Sequence, residues 1–106
     1  MKANKSVSVA DLLKQKQPFR SVAQEVYLSL LLSTSQLSHG MDVLLKNHGI
    51  TQVQYNVLRI LRGAGDSGLG RNEIRERLVN TMPDFTRLLD RMESAGWISR
   101  ERAGED

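Results

Sequence analysis

The 106-residue sequence contains no cysteine, which removes several kinds of chemistry at once. Without cysteine the chain has no disulfide, no thiolate metal site and no thiol-based redox sensor. Aromatic residues make up only 5% of the chain, so its core must be mostly aliphatic. A chain of this length forms one domain at most, with a modest core. These features favour a small helical domain and are compatible with a cytoplasmic location, which we predict.

Long hydrophobic runs are also missing from the sequence. The apolar run Val26–Leu32 is interrupted by Ser29 and is far too short to span a bilayer. It follows Glu25 and lacks a cleavage site of small residues, so it does not resemble a secretory signal. We therefore expect neither a signal peptide nor a membrane partner.

A large excess of charge of one sign is missing as well. The net charge is +3, and residues 1–20 carry five cations against one acid. Residues 71–106 carry seven arginines against eight acids, so the arginine-rich end of the chain is not net basic. The overall charge therefore gives no strong signature of nucleic-acid binding. DNA recognition would have to depend on where individual arginines lie.

Residues that would support catalysis or metal binding form no recognisable pattern. His39 and His48 are the two histidines, and they do not form a pair of metal ligands on one helix turn. The glycines at 63, 65, 68 and 70 are not followed by the lysine and hydroxyl residue of a phosphate-binding loop. No nucleophile is paired with a base. We predict that the protein is not an enzyme and that it binds no metal or cofactor.

Helical periodicity separates an N-terminal arm from a long helix. Residues 1–17 are polar and rich in lysine, and Ser8 begins a capping signal for a short helix. From Pro18 onward, apolar residues recur every three or four positions until Gly49, which can end a helix. We predict one long helix over residues 18–49.

The first half of this long helix is apolar on several sides, so one small domain cannot cover it. A second chain or missing sequence must cover the remaining side, and we predict that it is an oligomer interface. The alternative is the central core helix of a monomer. The predicted dimer-interface residues are Val22, Val26, Tyr27, Leu30 and Leu31.

Residues 50–106 contain three further helical patterns and two short strand patterns. Thr51 begins a capping box for the first helix, and a second helix is predicted near Asn72–Leu78. A short strand is predicted at Leu69 and a longer one at Trp97–Arg102, which leads into a hairpin turn. Two short helices followed by a strand and a hairpin are typical of a winged helix-turn-helix.

The third helix is predicted within NTMPDFTRLLDRMESAG, from residue 80 to residue 96. Thr81 can cap it, Pro83 suits its first turn, and Gly96 can end it. Its buried stripe is predicted to contain Phe85, Leu88, Leu89 and Met92. The opposite side is predicted to contain Pro83, Thr86, Arg87, Asp90 and Ser94, which suits base edges in a DNA major groove or simply a solvated surface.

Three segments resemble the MarR family of bacterial transcriptional regulators: GITQVQYNVLRIL, RNEIRERL and MPDFTRLLDRMESAGWISRERAGED. The resemblance extends over roughly residues 20–106, and its most specific part is the string TRLLDRME-x-x-G-x-x-x-R. It implies a mainly α fold: a winged helix-turn-helix with a long N-terminal dimerisation helix and a short β-wing. The sequence stops at Asp106, where the family continues, so we expect an incomplete wing and an incomplete dimer interface.

The resemblance also implies a function. Members of the family are homodimers that bind pseudo-palindromic double-stranded DNA, with one helix in the major groove and the wing at the minor groove. Many release DNA when a small aromatic or phenolic effector binds. We therefore predict a sequence-specific transcriptional regulator, most simply a ligand-responsive repressor. The alternative is a winged-helix protein-interaction module that does not bind DNA.

The predicted DNA contacts are arginines and their neighbours on the last two helices and the wing. Arg87 is the principal candidate for a base contact, whereas Arg91 could bind phosphate or pair with a nearby acid, and a solvated surface position is equally consistent with it. We expect Asp90 to orient a nearby arginine. The candidate DNA-binding residues are Pro83, Thr86, Arg87, Arg91, Arg71, Arg75, Arg100 and Arg102.

Overall fold

The computed structural model of the protein describes residues 7–101, which form five α-helices. Their bounds are α1 (Val9–Leu12), α2 (Val22–Lys46), α3 (Gln52–Ala64), α4 (Arg71–Glu76) and α5 (Phe85–Ser94). A single 3-10 turn, Gly65–Ser67, follows α3. The described residues contain no strand, so the predicted mainly α class is confirmed. The chain divides into two compact units, residues 1–41 and residues 42–106.

In the first unit, the predicted capping signal at Ser8 does begin a helix. The Asp11 N–H donates to the Ser8 hydroxyl at 3.1 Å, and the Ser8 N–H donates to the Asp11 carboxylate at 3.3 Å. These two bonds satisfy donors that the first turn of a helix leaves free. The resulting helix α1 is only four residues long.

The predicted start of the long helix at Pro18 is wrong, because α2 begins at Val22. The Ser21 hydroxyl accepts from the Gln24 N–H at 3.0 Å, and the Gln24 side-chain carbonyl accepts from the Arg20 N–H at 2.7 Å. A serine followed by glutamine three residues later is itself a helix-start signal. That signal determines the boundary here, whereas proline is only tolerated in a first turn.

Helix α2 exposes a large apolar surface. The five predicted interface residues are each between 50% and 76% exposed: Val22, Val26, Tyr27, Leu30 and Leu31. Apolar side chains that recur at this spacing mark a surface suited to burial against another helix. The interface itself stays a prediction. Within residues 7–101, no helix is both long and apolar enough to cross a bilayer.

The junction of α2 and α3 follows the sequence closely. Gly49 has a φ of +70°, and the Ile50 N–H donates to the Leu45 carbonyl at 3.2 Å, closing the last turn of α2. Helix α3 then begins with the predicted capping box. The Thr51 N–H donates to the Gln54 side chain at 3.0 Å, and the Gln54 N–H donates to the Thr51 hydroxyl at 3.2 Å.

The core of the second unit lies between α3, α4 and α5. Half-buried Leu69 and Leu78 pack against it. The predicted strand at Leu69 is not found. Leu69 lies in the connector before α4 with its side chain half-buried, and residues 7–101 contain no strand with which it could pair. The buried core residues are Val57, Ile60, Ile74, Phe85, Leu88, Leu89 and Met92. The stripe predicted for α5 is therefore confirmed in full.

The predicted start of α5 is wrong. Thr81 does not cap the helix and Pro83 does not lie in its first turn, because α5 begins at Phe85 with Asp84 as its N-terminal cap. A cap at Thr81 would require Met82 to be helical, and the residue before a proline is disfavoured in that conformation. Pro83 therefore lies in the turn before the helix.

The end of α5 is the one predicted from Gly96. The φ of Gly96 is +83°, and the Trp97 N–H donates to the Met92 carbonyl at 3.0 Å as the chain turns back. Residues 97–101 follow without strand pairing, so the predicted strand at Trp97–Arg102 is not seen in its described part. Arg102 itself lies outside the described residues.

Replacing Gly96 by alanine is expected to lower the free energy of unfolding by about 1 kcal/mol, because a Cβ is unfavourable at positive φ. A suitable control is Gly63→Ala, since Gly63 lies within helical α3 and has open space around its Cβ position. Alanine there is expected to stabilise by up to about 1 kcal/mol. Denaturant titration measures the free energy of unfolding of both variants. A change of the same sign in the two would contradict the conclusion that Gly96 requires a positive φ.

Candidate nucleic-acid interface

Helix α5 has a buried side and an exposed side. Thr86, Arg87, Asp90 and Ser94, which we call the outer face of α5, are all exposed. Arg91 is also exposed and lies at the flank of this face. Burial of the opposite stripe fixes the rotation of the helix, so these side chains are directed away from the core. Pro83 is exposed in the turn just before the helix.

Helix α4 is joined to the outer face of α5 by a hydrogen bond between two candidate DNA-binding residues. The Arg71 guanidinium donates to the Thr86 hydroxyl at 2.8 Å. Thr86 is thereby held at the first turn of α5, and part of the hydrogen-bonding capacity of Arg71 is used within the protein. Arg75, on the same short helix, is exposed and makes no ion pair within residues 7–101.

Replacing Arg71 by alanine is expected to lower the free energy of unfolding by about 0.5–1 kcal/mol, the net value of an accessible hydrogen bond. The control is Arg75→Ala on the same helix, where no such bond is lost. Its expected change lies within about 0.5 kcal/mol of zero. Urea titration of both variants tests the contact, and equal values would show that the bond to Thr86 contributes nothing.

A second contact joins the segment after α5 to the helix. The Arg100 guanidinium donates to the Asp90 carboxylate and, at 3.0 Å, to the Glu93 carboxylate. We call Asp90, Glu93 and Arg100 the arginine–carboxylate cluster. The expectation that Asp90 orients a nearby arginine is thus confirmed, and the same arginine also pairs with Glu93. Arg100 was predicted to contact DNA, and here its guanidinium is already shared between two carboxylates.

The cluster shifts the ionisation of its members. The hydrogen bond from Arg100 lowers the pKa of Glu93 below its ordinary value of 4.5, because the cation favours the charged carboxylate. The same contacts with Glu93 and Asp90 raise the pKa of Arg100. Since the pKa of Glu93 is depressed in the folded state, the stabilisation it provides is complete above its unfolded value. That stabilisation is lost as the pH falls through the folded pKa.

Arg87 and Arg91 are not used in ion pairs within the described part of the chain. The two ion pairs there, both made by Arg100, leave these guanidinium groups exposed on one side of α5. Arg87 and Arg91 are four residues apart, so they lie on neighbouring turns of the same surface. An arginine in this situation presents several donors in a planar fork that matches guanine or phosphate.

The second unit also contains a shallow apolar groove of about 380 Å³, lined by His48, Ile50, Leu58 and Trp97. Trp97 is 38% exposed. The indole of Trp97 thus forms part of the groove lining. Tyr55 on α3 is 39% exposed and does not line the groove.

Two features of this site could not be read directly from spacing. The bond between Arg71 and Thr86 joins different helices, and Glu93 meets Arg100 only because the chain reverses after α5. The sequence signal for the contact between Glu93 and Arg100 was Gly96, since a glycine that ends a helix turns the following residues back along that helix. Within residues 7–101, no group of three or more His, Asp or Glu side chains is placed to hold a metal ion.

Helix α4, the connection over residues 77–84 and helix α5 form a helix-turn-helix with an exposed polar second helix. Comparison with protein families agrees with this class. Residues 48–106 match the model described as MarR family, which covers more than half of the chain. The chain therefore belongs to the MarR family, a winged helix-turn-helix family of transcriptional regulators.

A curated relative supports this assignment. The chain is similar to the HTH-type transcriptional repressor YetL of Bacillus subtilis (strain 168), with 29% identity over 82 residues. The aligned region is 77% of this chain but 49% of YetL, so the chain spans about half the length of the relative it matches. No solved structure gives a significant match.

Proposed function

We propose that the protein is a homodimeric, sequence-specific DNA-binding transcriptional regulator that acts as a repressor. The observation that carries the proposal is the outer face of α5, which is exposed and polar while the other side of the helix is buried. Membership of the MarR family and similarity to a repressor support the same function. The second helix of a helix-turn-helix is the element that enters the major groove in this architecture.

Within this proposal, the exposed arginines have different roles. Arg87 reads a base edge, because its free guanidinium lies on the outer face and can donate two parallel hydrogen bonds to guanine. Thr86 lies beside it and is held by Arg71. Arg91 and Arg75, both exposed, follow the phosphate backbone and fix the register of the protein on the duplex.

The dimer is supported by the exposed apolar residues of α2. Val22, Val26 and Leu30 recur at four-residue intervals, and each is at least half exposed. Burying such a stripe against a second copy removes apolar surface from water and stabilises the pair. A two-fold symmetric dimer matches a pseudo-palindromic site, because each half-site meets the same helix in the same orientation.

Titration of duplex DNA from the region upstream of the protein's own gene, at two salt concentrations, tests the function. It should be run with this chain and with a longer form, because the chain spans about half of its curated relative. Specific binding that weakens steeply with salt supports the proposal. Absence of specific binding by both forms, with each shown to be folded, would favour the protein-interaction alternative.

Response to a small aromatic or phenolic effector is the finer part of the proposal, and the apolar groove supports it. A volume of about 380 Å³ suits a small ring, and His48 can offer a polar group to a phenol or carboxylate.

Trp97 is the single tryptophan of the chain, so its fluorescence reports directly on the groove. Titration with simple phenols and benzoates should give saturable quenching that Leu58→Gln abolishes; unsaturable quenching would remove the groove as the effector site.

A further inference from the structure

The outer face of α5 contains an acid where DNA binding would be least compatible with one. Asp90 lies four residues after Thr86 and three after Arg87, so all three lie on the same side of the helix. Its side chain is 57% exposed, and Glu93, one turn further on, is 43% exposed. A helix that approaches a duplex with two bare carboxylates would meet the repulsion of the phosphates.

Arg100 changes the charge of this surface. Its guanidinium contacts both carboxylates, and the cluster of two acids and one cation carries a net charge of −1 instead of −2. Both contacts are made by the Nη2 nitrogen of Arg100, so the donors of this nitrogen are directed at the helix and are unavailable to a phosphate. Within residues 7–101, no other cation makes an ion pair with either acid.

We propose that Arg100 supports DNA binding as a positioning residue that covers the carboxylates of Asp90 and Glu93, not as a phosphate contact. The inference rests on the proposed DNA-binding function and deepens it. It replaces the role that the sequence predicted for Arg100. It also explains how a helix with two acids near its reading surface is compatible with a polyanion.

The two roles for Arg100 make opposite predictions for a combined variant. If Arg100 contacts a phosphate, removing the acids relieves their repulsion but does not restore the lost phosphate contact. The slope of log affinity against log salt then falls by about one in magnitude. If Arg100 covers the acids, neutralising them makes the arginine dispensable, and the slope of the combined variant equals that of the wild type.

The experiment uses the full-length protein and a duplex enriched from a random-sequence pool with the wild type. The variants are Arg100→Ala, Arg100→Lys, the pair Asp90→Asn with Glu93→Gln, and all three neutralising changes together. Circular dichroism melts establish that each variant is folded, and affinity is measured at several salt concentrations. NMR titration of the Glu93 carboxyl provides a readout that does not require DNA.

Arg100→Ala is expected to weaken binding about tenfold, because it leaves two uncompensated carboxylates near the phosphates. Arg100→Lys should lose less DNA affinity than Arg100→Ala, since an ammonium still neutralises one acid. The triple variant is expected to return to within about threefold of the wild type, with an unchanged salt slope. The pKa of Glu93 should rise toward 4.5 in Arg100→Ala, because its cation partner is gone.

A triple variant that binds as weakly as Arg100→Ala, or an Arg100→Ala variant that binds like the wild type, overturns the inference and leaves the DNA-binding function standing. A wild-type protein that enriches no duplex, although its Glu93 titration shows the cluster to be formed, refutes the DNA-binding function itself and the inference with it. The two failures are therefore distinguishable.

Discussion

Replacing Arg87 by alanine is expected to weaken sequence-specific DNA binding by about ten- to a hundredfold, which corresponds to about 1–3 kcal/mol. Arg87 is exposed on the outer face of α5 and makes no ion pair within the described residues, so its guanidinium is free to donate to a guanine edge. The loss should be concentrated at one base pair of each half-site. Competition titration with single-base variants of the duplex measures it.

The matched control is Arg62→Ala, an equally long and exposed cation in the last turn of α3. It removes the same formal charge from the protein without touching α5. We expect it to alter affinity by less than about threefold and to leave the base preference unchanged. Equal losses in the two variants would show that Arg87 contributes only to the general field of the protein, and would remove it from the role of reading bases.

The buried side of α5 was predictable because periodicity and burial have the same cause. Four apolar residues at helical spacing can be removed from water together only if the helix forms and packs on that side. Gly49 and Gly96 were equally readable, since positive φ favours glycine over other residues and both positions follow a periodic segment. Each of these features is marked by residue types at fixed positions in the local sequence.

The two wrong helix starts have a common physical origin. In each case a proline was placed in the first turn of the helix, Pro18 for α2 and Pro83 for α5, and in each case the helix begins after that proline. Ser21 provides a hydroxyl that satisfies a free N–H at α2, and the constraint on Met82 before Pro83 delays α5. The choice between neighbouring start signals depends on small differences between side-chain and backbone hydrogen bonds, which composition does not resolve.

The candidate site was predictable as a set of residues but not as an arrangement. Spacing along α5 placed Thr86, Arg87 and Asp90 on one surface, since a single helix relates them. It could not show that Arg71 is bonded to Thr86 or that Arg100 is shared between two acids, because those contacts depend on how separate elements pack. The structure therefore divides the predicted arginines that it describes, all of them exposed, into those bonded within the protein and those without such a bond.

Met92 connects this surface to the stability of the domain, and its replacement by alanine is expected to have the largest effect on folding. Met92 is 0% exposed, and it lies on α5 in a core cluster of seven buried residues in the described part of the second unit. Truncating a buried methionine typically costs about 2–5 kcal/mol through lost burial and the cavity left behind. For a domain of this size, that is a large part of the total stability.

The control is Ser94→Ala, which lies two residues further along the same helix, on the exposed outer face. It is expected to change the free energy of unfolding by less than about 0.5 kcal/mol. Denaturant titration at 25 °C should separate the two variants clearly, and DNA binding by Met92→Ala should fall in proportion to the unfolded fraction. A Met92→Ala protein as stable as Ser94→Ala would mean that α5 is not packed on this core, and the rotation that exposes Arg87 would have to be abandoned with it.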